Sequence, residues 1–138
     1  MSSIYERRWF FDKILSREHP YNSLVGRRMQ DIKVITRKDS KQFFEGDERC
    51  NLYMKTEKMI FGTSYLEPGK EGTTDPGHKY GEEIFFVAEG TVTCQFSKHS
   101  KQLEEGDAVI IPTGEPHKLI NTSKEPVLVC WALAPPDN

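Results

Sequence analysis

From about Asp31 onward, apolar residues fall in short runs rich in β-branched and aromatic side chains, the texture expected of β-strands. The runs cover residues 31–36, 52–54, 59–66, 83–88, 91–96, 108–111, 117–121 and 127–132. Turn-forming residues separate almost all of them: Glu-Pro-Gly at 67–69, Asp-Pro-Gly at 75–77, Glu-Gly at 89–90, Glu-Gly-Asp at 105–107 and Pro-Thr-Gly at 112–114. One segment follows the helical period instead. In residues 3–15, Ile4, Phe11, Ile14 and Leu15 lie near one helical face, and Ser3 and Glu6 stand in capping-box spacing. A short helix is predicted there, ending near His19-Pro20, because proline disfavours helical geometry in the residue before it. Many short strands after a single helix predict an all-β sandwich or barrel rather than βαβ units. No internal repeat or low-complexity tract interrupts the pattern.

Length and composition narrow this further. A chain of 138 residues suits one domain, and its eight Phe, five Tyr and two Trp carry enough apolar surface for a core. The three cysteines, Cys50, Cys94 and Cys130, have no C-x-x-C spacing and suggest neither a disulfide framework nor a zinc knuckle. They fit a reducing compartment, so a cytoplasmic location is expected. No apolar run approaches the roughly 20 residues that span a bilayer, and no membrane partner is expected. The net charge of −2 hides an asymmetry: residues 1–41 hold ten Lys/Arg against five Asp/Glu, and residues 42–138 hold nine against sixteen. The basic residues are scattered and lie apart from the aromatics, which argues against a nucleic-acid partner.

Two segments carry candidate chemistry. Gly106-Asp-Ala-Val-Ile-Ile-Pro112-Thr-Gly114-Glu-Pro-His117-Lys-Leu-Ile-Asn121 would open a strand after a turn, reverse tightly at Pro112 and Gly114, and return with His117, Leu119 and Asn121 on one face. This segment resembles, without a gap, the second cupin motif, G-x5-P-x-G-x2-H-x3-N. The segment from Gly72 through His78, Tyr80, Glu82 and Glu83 to Gly90 resembles the first cupin motif, G-x5-H-x-H-x3-4-E-x6-G, with one histidine missing. Anchored on Gly72, His78 is the first histidine and Tyr80 replaces the second, but too few residues precede Glu83. Anchored on Glu83 and Gly90, which is the preferred register, His78 is the second histidine and Pro76 stands where the first belongs.

The resemblance spans roughly residues 60–134. It implies a cupin-type double-stranded β-helix, or jelly-roll barrel, over residues 41–138, with residues 1–40 supplying the short N-terminal helix and an edge strand. It also implies a divalent-metal site of His78, Glu83 and His117, a two-histidine, one-carboxylate set that does not choose among iron, manganese, nickel and zinc. Tyr80 and Glu82 are the candidate catalytic residues that move a proton, and Glu82 is also the alternative carboxylate ligand if its strand carries a bulge. With Glu83 and His117 pointing inward, Phe85, Val87 and Leu119 should line the interior, while the faces of Tyr65, Cys94 and Trp131 are not fixed by spacing. His99, in a polar hairpin, is expected in solvent. The functional expectation is a metal-dependent enzyme (dioxygenase, decarboxylase, lyase or isomerase) acting on a small polar molecule. The alternative is a small-ligand or sugar-binding barrel without turnover. A homodimer is the expected assembly.

Overall fold

A computed structural model describes residues 32–137. The chain divides into two units, Met1–Lys33 and Val34–Asn138, and every strand among the described residues belongs to the second. The predicted helix at 3–15 lies outside the described residues.

A 3-10 turn, Arg37–Asp39, leads into nine antiparallel strands: β1 Lys41–Glu45, β2 Glu48–Lys55, β3 Ile60–Leu66, β4 Glu82–Glu89, β5 Thr91–Phe96, β6 Ser100–Glu104, β7 Ala108–Ile111, β8 His117–Ile120 and β9 Val127–Ala134. They form a six-stranded sheet in the order β1-β2-β3-β9-β4-β7 and a three-stranded sheet in the order β6-β5-β8. The non-sequential order, with β9 between β3 and β4, is that of a double-sheet jelly roll.

Alternation places the core. Glu83, Phe85 and Val87 of β4 are buried and the residues between them exposed, as the period of two requires. Val127, Val129 and Leu133 of β9 lie on the same inner face of the large sheet. Val92 and Cys94 of β5 with Leu119 of β8 supply the buried face of the small sheet. These side chains, with Leu66, Leu103 and Ile111, make one continuous core. The inward placement expected of Phe85, Val87 and Leu119 is what the structure has.

Three expectations about strands differ. Residues 32–36 form no strand, and Ile32 and Val34 are exposed; their β-branched alternation fits a strand, but no neighbour pairs with it. Conversely, β1 and β6 are strands that periodicity does not reveal. Each is an edge strand with one partner, and charged or polar residues fill it, so the sequence carries little apolar signal. Strand β2 also runs well beyond the expected 52–54.

The segment after β3 joins the two sheets. Gly69 N–H donates to Asn121 O (2.8 Å) and Gly72 N–H to Leu119 O (2.9 Å), so this stretch runs beside β8 as an irregular fourth strand. On its other side Asp47 N–H donates to Glu71 O at 3.0 Å. Asn121, fully buried, fixes the corner: its amide donates to Leu66 O (3.1 Å) and Glu125 O (2.8 Å), and its Oδ1 accepts from Ser123 N–H (3.0 Å) and Ser123 Oγ (2.7 Å).

Candidate metal centre

The site forms where the joining segment meets β8 and β4. Asp75 and His117 pair through their backbones, Asp75 N–H to His117 O (2.8 Å) and His117 N–H to Asp75 O (3.0 Å), which brings both side chains to one end of the barrel. After Asp75 the chain turns sharply. Asp75 Oδ1 accepts from Gly77 N–H at 2.8 Å, and Gly77 has φ +101°, a conformation that favours glycine. A Cβ on Gly77 would also lie 2.7 Å from the carbonyl carbon of Gly114. The turn delivers His78 into the barrel, while alternation on β4 delivers Glu83 from the opposite side.

Four donors converge. His78 Nε2 lies 2.9 Å from Glu83 Oε2 and 3.6 Å from Asp75 Oδ2; His117 Nε2 lies 3.2 Å from Glu83 Oε1 and 3.9 Å from Asp75 Oδ2. The far nitrogens are occupied. His78 Nδ1 sits 3.0 Å from Asp137 Oδ2, and His117 Nδ1 sits 2.9 Å from Glu115 O. Asp137 Oδ2 and Glu115 O each offer an acceptor to Nδ1, so a neutral ring with its hydrogen there presents the Nε2 lone pair to the centre, whereas the Nε2 contacts with Glu83 need a hydrogen on Nε2 when no cation is bound. Two imidazole nitrogens and two carboxylates thus face one another, an arrangement that a cation, or a proton in its place, satisfies.

The chemistry of this set fits a divalent ion. Ligands about 2.1 Å from a metal are separated by roughly 3.0 to 4.2 Å from one another, depending on the angle between them. The four separations above fall at or close to that span. Asp75, His78 and His117 offer ligand atoms that all lie within 4.8 Å of one another, and Glu83 touches both histidines.

Charge bears on the same point. Burial pulls His117 down, but the hydrogen bond to Glu83, the Glu115 carbonyl and the charges of Glu83 and Asp75 together raise its pKa above the usual 6.5. In the absence of a metal, a proton thus stands in for the cation. At Asp137 desolvation is the largest single influence and works upward, but the hydrogen bonds from His78 and from the Tyr80 and Lys79 amides together hold the carboxyl below its ordinary 3.8.

The centre opens on a cavity of about 440 Å³, within the range of small-molecule sites. Phe85, Leu119 and Trp131 provide apolar wall, and Glu48, Thr73 and Lys118 polar wall. Lys118 is already paired with Glu71 at 2.9 Å.

The structure brings His78, Glu83 and His117 together and leaves two other sequence candidates apart. Tyr80 is 60% exposed, with Lys79 Nζ 5.1 Å from its ring centroid, and does not line the cavity. Glu82 points to the outer face of β4; the pairing with β9 runs without a shift through Glu82 and Glu83, so no bulge turns it inward. Trp131 faces the cavity, Cys94 packs in the core, and Tyr65 stacks under Arg49, whose guanidinium carbon is 4.7 Å from the ring centroid. His99 is exposed, as expected.

Sequence reading alone missed Asp75 and Asp137. Asp75 sits in Asp-Pro-Gly, which reads as turn chemistry, and nothing local distinguishes a turn aspartate from one that also aims a carboxylate inward. Asp137 reaches His78 from 59 positions away.

Comparison with known proteins agrees with the fold. Residues 62–133 match the cupin domain family. The chain belongs to the cupin family. Among solved structures it is similar to KdgF from Halomonas sp., with 17% identity and a TM-score of 0.64 over 76% of this chain and 96% of that one. It is also similar to a predicted oxalate decarboxylase from Thermotoga maritima, at 15% identity and TM-score 0.62 over 75% and 100% of the two chains. An RmlC-like cupin from Shewanella frigidimarina aligns at 15% identity and TM-score 0.64, over 80% and 97%. At these identities the likeness is one of fold. No protein of curated function matches the chain. Among the described residues, no helix is long and apolar enough to cross a membrane.

Proposed function

We propose that this cupin is a divalent-metal-dependent enzyme that acts on a small polar molecule bound in the barrel, with His78, Glu83 and His117 as ligands and Asp75 as a fourth donor. The observation that carries this reading is the paired orientation of the histidines: each Nδ1 is held by an acceptor, so each Nε2 is aimed at the same point beside Glu83. A bound divalent ion would supply Lewis-acid polarisation of a substrate oxygen, or an open position for O2. The protein's own groups do the rest. Asp137 and the Glu115 carbonyl keep the imidazoles oriented, Phe85, Leu119 and Trp131 exclude water from one wall, and Thr73 and Lys118 offer donors to substrate oxygens.

The reaction class stays at dioxygenase, decarboxylase, lyase or isomerase, all of which use an ion with open coordination. The fold likeness to a protein described as a predicted oxalate decarboxylase supports small acids as the first substrates to try. A second reading, a small-ligand or sugar-binding barrel without turnover, is favoured by one observation: Tyr80 and Glu82 do not face the cavity. Loading the protein separately with iron(II), manganese, nickel and zinc, and following O2 uptake and CO2 release on small carboxylic acids, decides between the two. Turnover with one metal, lost in His117→Ala, supports the enzyme; tight ligand binding without turnover supports the module.

A homodimer is part of the proposal, supported by the exposed apolar residues Ile84, Phe86 and Ile110 on the outer face of the large sheet. The free state of Cys50, Cys94 and Cys130 supports a cytoplasmic location.

A further inference from the structure

A second polar cluster lies in the same cavity, away from the four donors. Glu48 on β2 turns its carboxyl inward, where Ser64 Oγ donates to Glu48 Oε1. Trp131 Nε1 in turn donates to Ser64 Oγ at 2.9 Å, and Cys50 Sγ lies 3.6 Å from Glu48 Oε1. Two glycines make room for this chain. A Cβ on Gly62 would lie 2.3 Å from the Trp131 ring, and one on Gly72 would lie 2.2 Å from Glu48 Oε2. Ser64 satisfies Oε1, which leaves Oε2 as the atom able to meet a ligand.

Glu48 and Glu83 share the inner face of the large sheet but sit on β2 and β4, with β3 and β9 between. They are also staggered along the strands, since Arg49 pairs with Tyr65 at one end of β3 and Glu83 faces Leu133, the partner of Ile60, at the other; both carboxyls nevertheless line the same cavity, and the charge of Glu83 acts on Glu48. A molecule that fills this cavity, held by an oxygen at the histidine cluster, meets Glu48 on the opposite wall.

We propose that Glu48 is a second chemical group of the cavity, a carboxyl that exchanges a proton with a small oxygen-bearing molecule bound at the histidine cluster. The inference rests on the metal-centre reading only for where that molecule is held. In the acid direction the Oε2–H bond breaks, its electron pair stays on the carboxylate, and an oxygen or carbon of the substrate takes the proton; water returns a proton to Glu48 afterwards. The base direction is the reverse. Burial works in favour of the protonated form and raises the Glu48 pKa above 4.5; the Ser64 and Cys50 hydrogen bonds oppose this, and the charges of Glu45 and Glu83 reinforce it. Glu45 on β1, Cys50 on β2 and Glu83 on β4 are the titratable groups acting on it. Tyr80 and Glu82 do not line the cavity, so Glu48 takes the proton-transfer role expected of them.

The test is a carbon-13 NMR titration of the glutamate carboxyls, with Glu48 assigned by its loss in Glu48→Gln, on metal-free protein and on protein given zinc with oxalate as the probe. The expected midpoint lies above 4.5 in the metal-free protein and moves by roughly one pH unit with zinc and oxalate, the size of effect a charge at close range has. Glu48→Gln should keep the zinc stoichiometry of the wild type. Gly72→Ala, which displaces only the flexible end of Glu48, should return the midpoint toward 4.5. A midpoint at or below 4.5, a midpoint that zinc and oxalate leave unmoved while zinc binds, or loss of zinc in Glu48→Gln would each overturn the proposal. If the wild type takes up no zinc, the metal-centre reading fails on its own, and oxalate alone then decides: a shifted Glu48 supports the proton-exchange role and an unshifted one refutes it.

Discussion

Asp137 offers the sharpest check on how the centre is held. Its Oδ2 faces His78 Nδ1 at 3.0 Å, and its Oδ1 accepts from the Lys79 amide at 3.1 Å and the Tyr80 amide at 3.4 Å. Asp137→Ala removes the acceptor that selects the His78 tautomer and the anchor of the loop that carries the ring. Loss of such an outer partner typically weakens metal binding about 10- to 100-fold. Because the Asp137 side chain is 37% exposed, water can take its place in part, and the loss should fall near the low end, about tenfold. Asp137→Asn keeps an acceptor oxygen and should lose less. Zinc affinity measured by competition with a chromophoric chelator reads the difference, and urea unfolding of the metal-free variants controls for the loop. Zinc affinity of Asp137→Ala within roughly twofold of the wild type would refute the orienting role.

Three further outcomes follow from the geometry. Asn121→Ala deletes four hydrogen bonds at a buried corner; at about 1 kcal/mol each it should lose roughly 3 to 4 kcal/mol in urea unfolding, and a loss under about 1 kcal/mol would contradict the corner's role. His117 is raised above 6.5 in the folded, metal-free protein, so its contribution to stability is fully present below 6.5 and is lost as pH rises through the folded value. Unfolding free energy of metal-free protein should therefore fall across that window while His117→Ala stays flatter, and zinc affinity should run the opposite way, weakening as the proton competes. Gly77→Ala places a Cβ 2.7 Å from Gly114 backbone at φ +101°; it should lose metal affinity and at least about 1 kcal/mol of stability, and wild-type zinc binding in that variant would count against the tight turn as the element that aims His78.

How much of this was legible in the sequence varies with the physics behind each part. Strands β3, β4, β5, β7 and β9 advertise themselves because their buried inner faces fill them with apolar, β-branched and aromatic residues between clear turn signals. Edge strands β1 and β6 bury one face poorly and are guarded by charge, so Lys41-Gln-Phe-Phe-Glu45 and Ser100-Lys-Gln-Leu-Glu104 read as surface. His78, Glu83 and His117 stood out because their spacing resembles a known pattern. Glu48, Asp75 and Asp137 did not, because their roles depend on contacts between distant segments. Asp75 meets His117 across a backbone bridge, Glu48 meets Ser64 and Trp131 across three strands, and Asp137 meets a histidine 59 positions earlier. The missing first histidine of the motif has a structural counterpart close by: Asp75, one residue before Pro76, turns its carboxylate toward both remaining histidines.

The central claim is that these side chains hold a divalent ion. Elemental analysis of protein purified without an affinity tag or chelator, beside His117→Ala, tests it directly. The account predicts close to one equivalent of a divalent transition metal in the wild type and little in the variant. Wild-type protein that is folded and metal-free, and that gains no thermal stability from added iron(II), manganese, nickel or zinc, would contradict it.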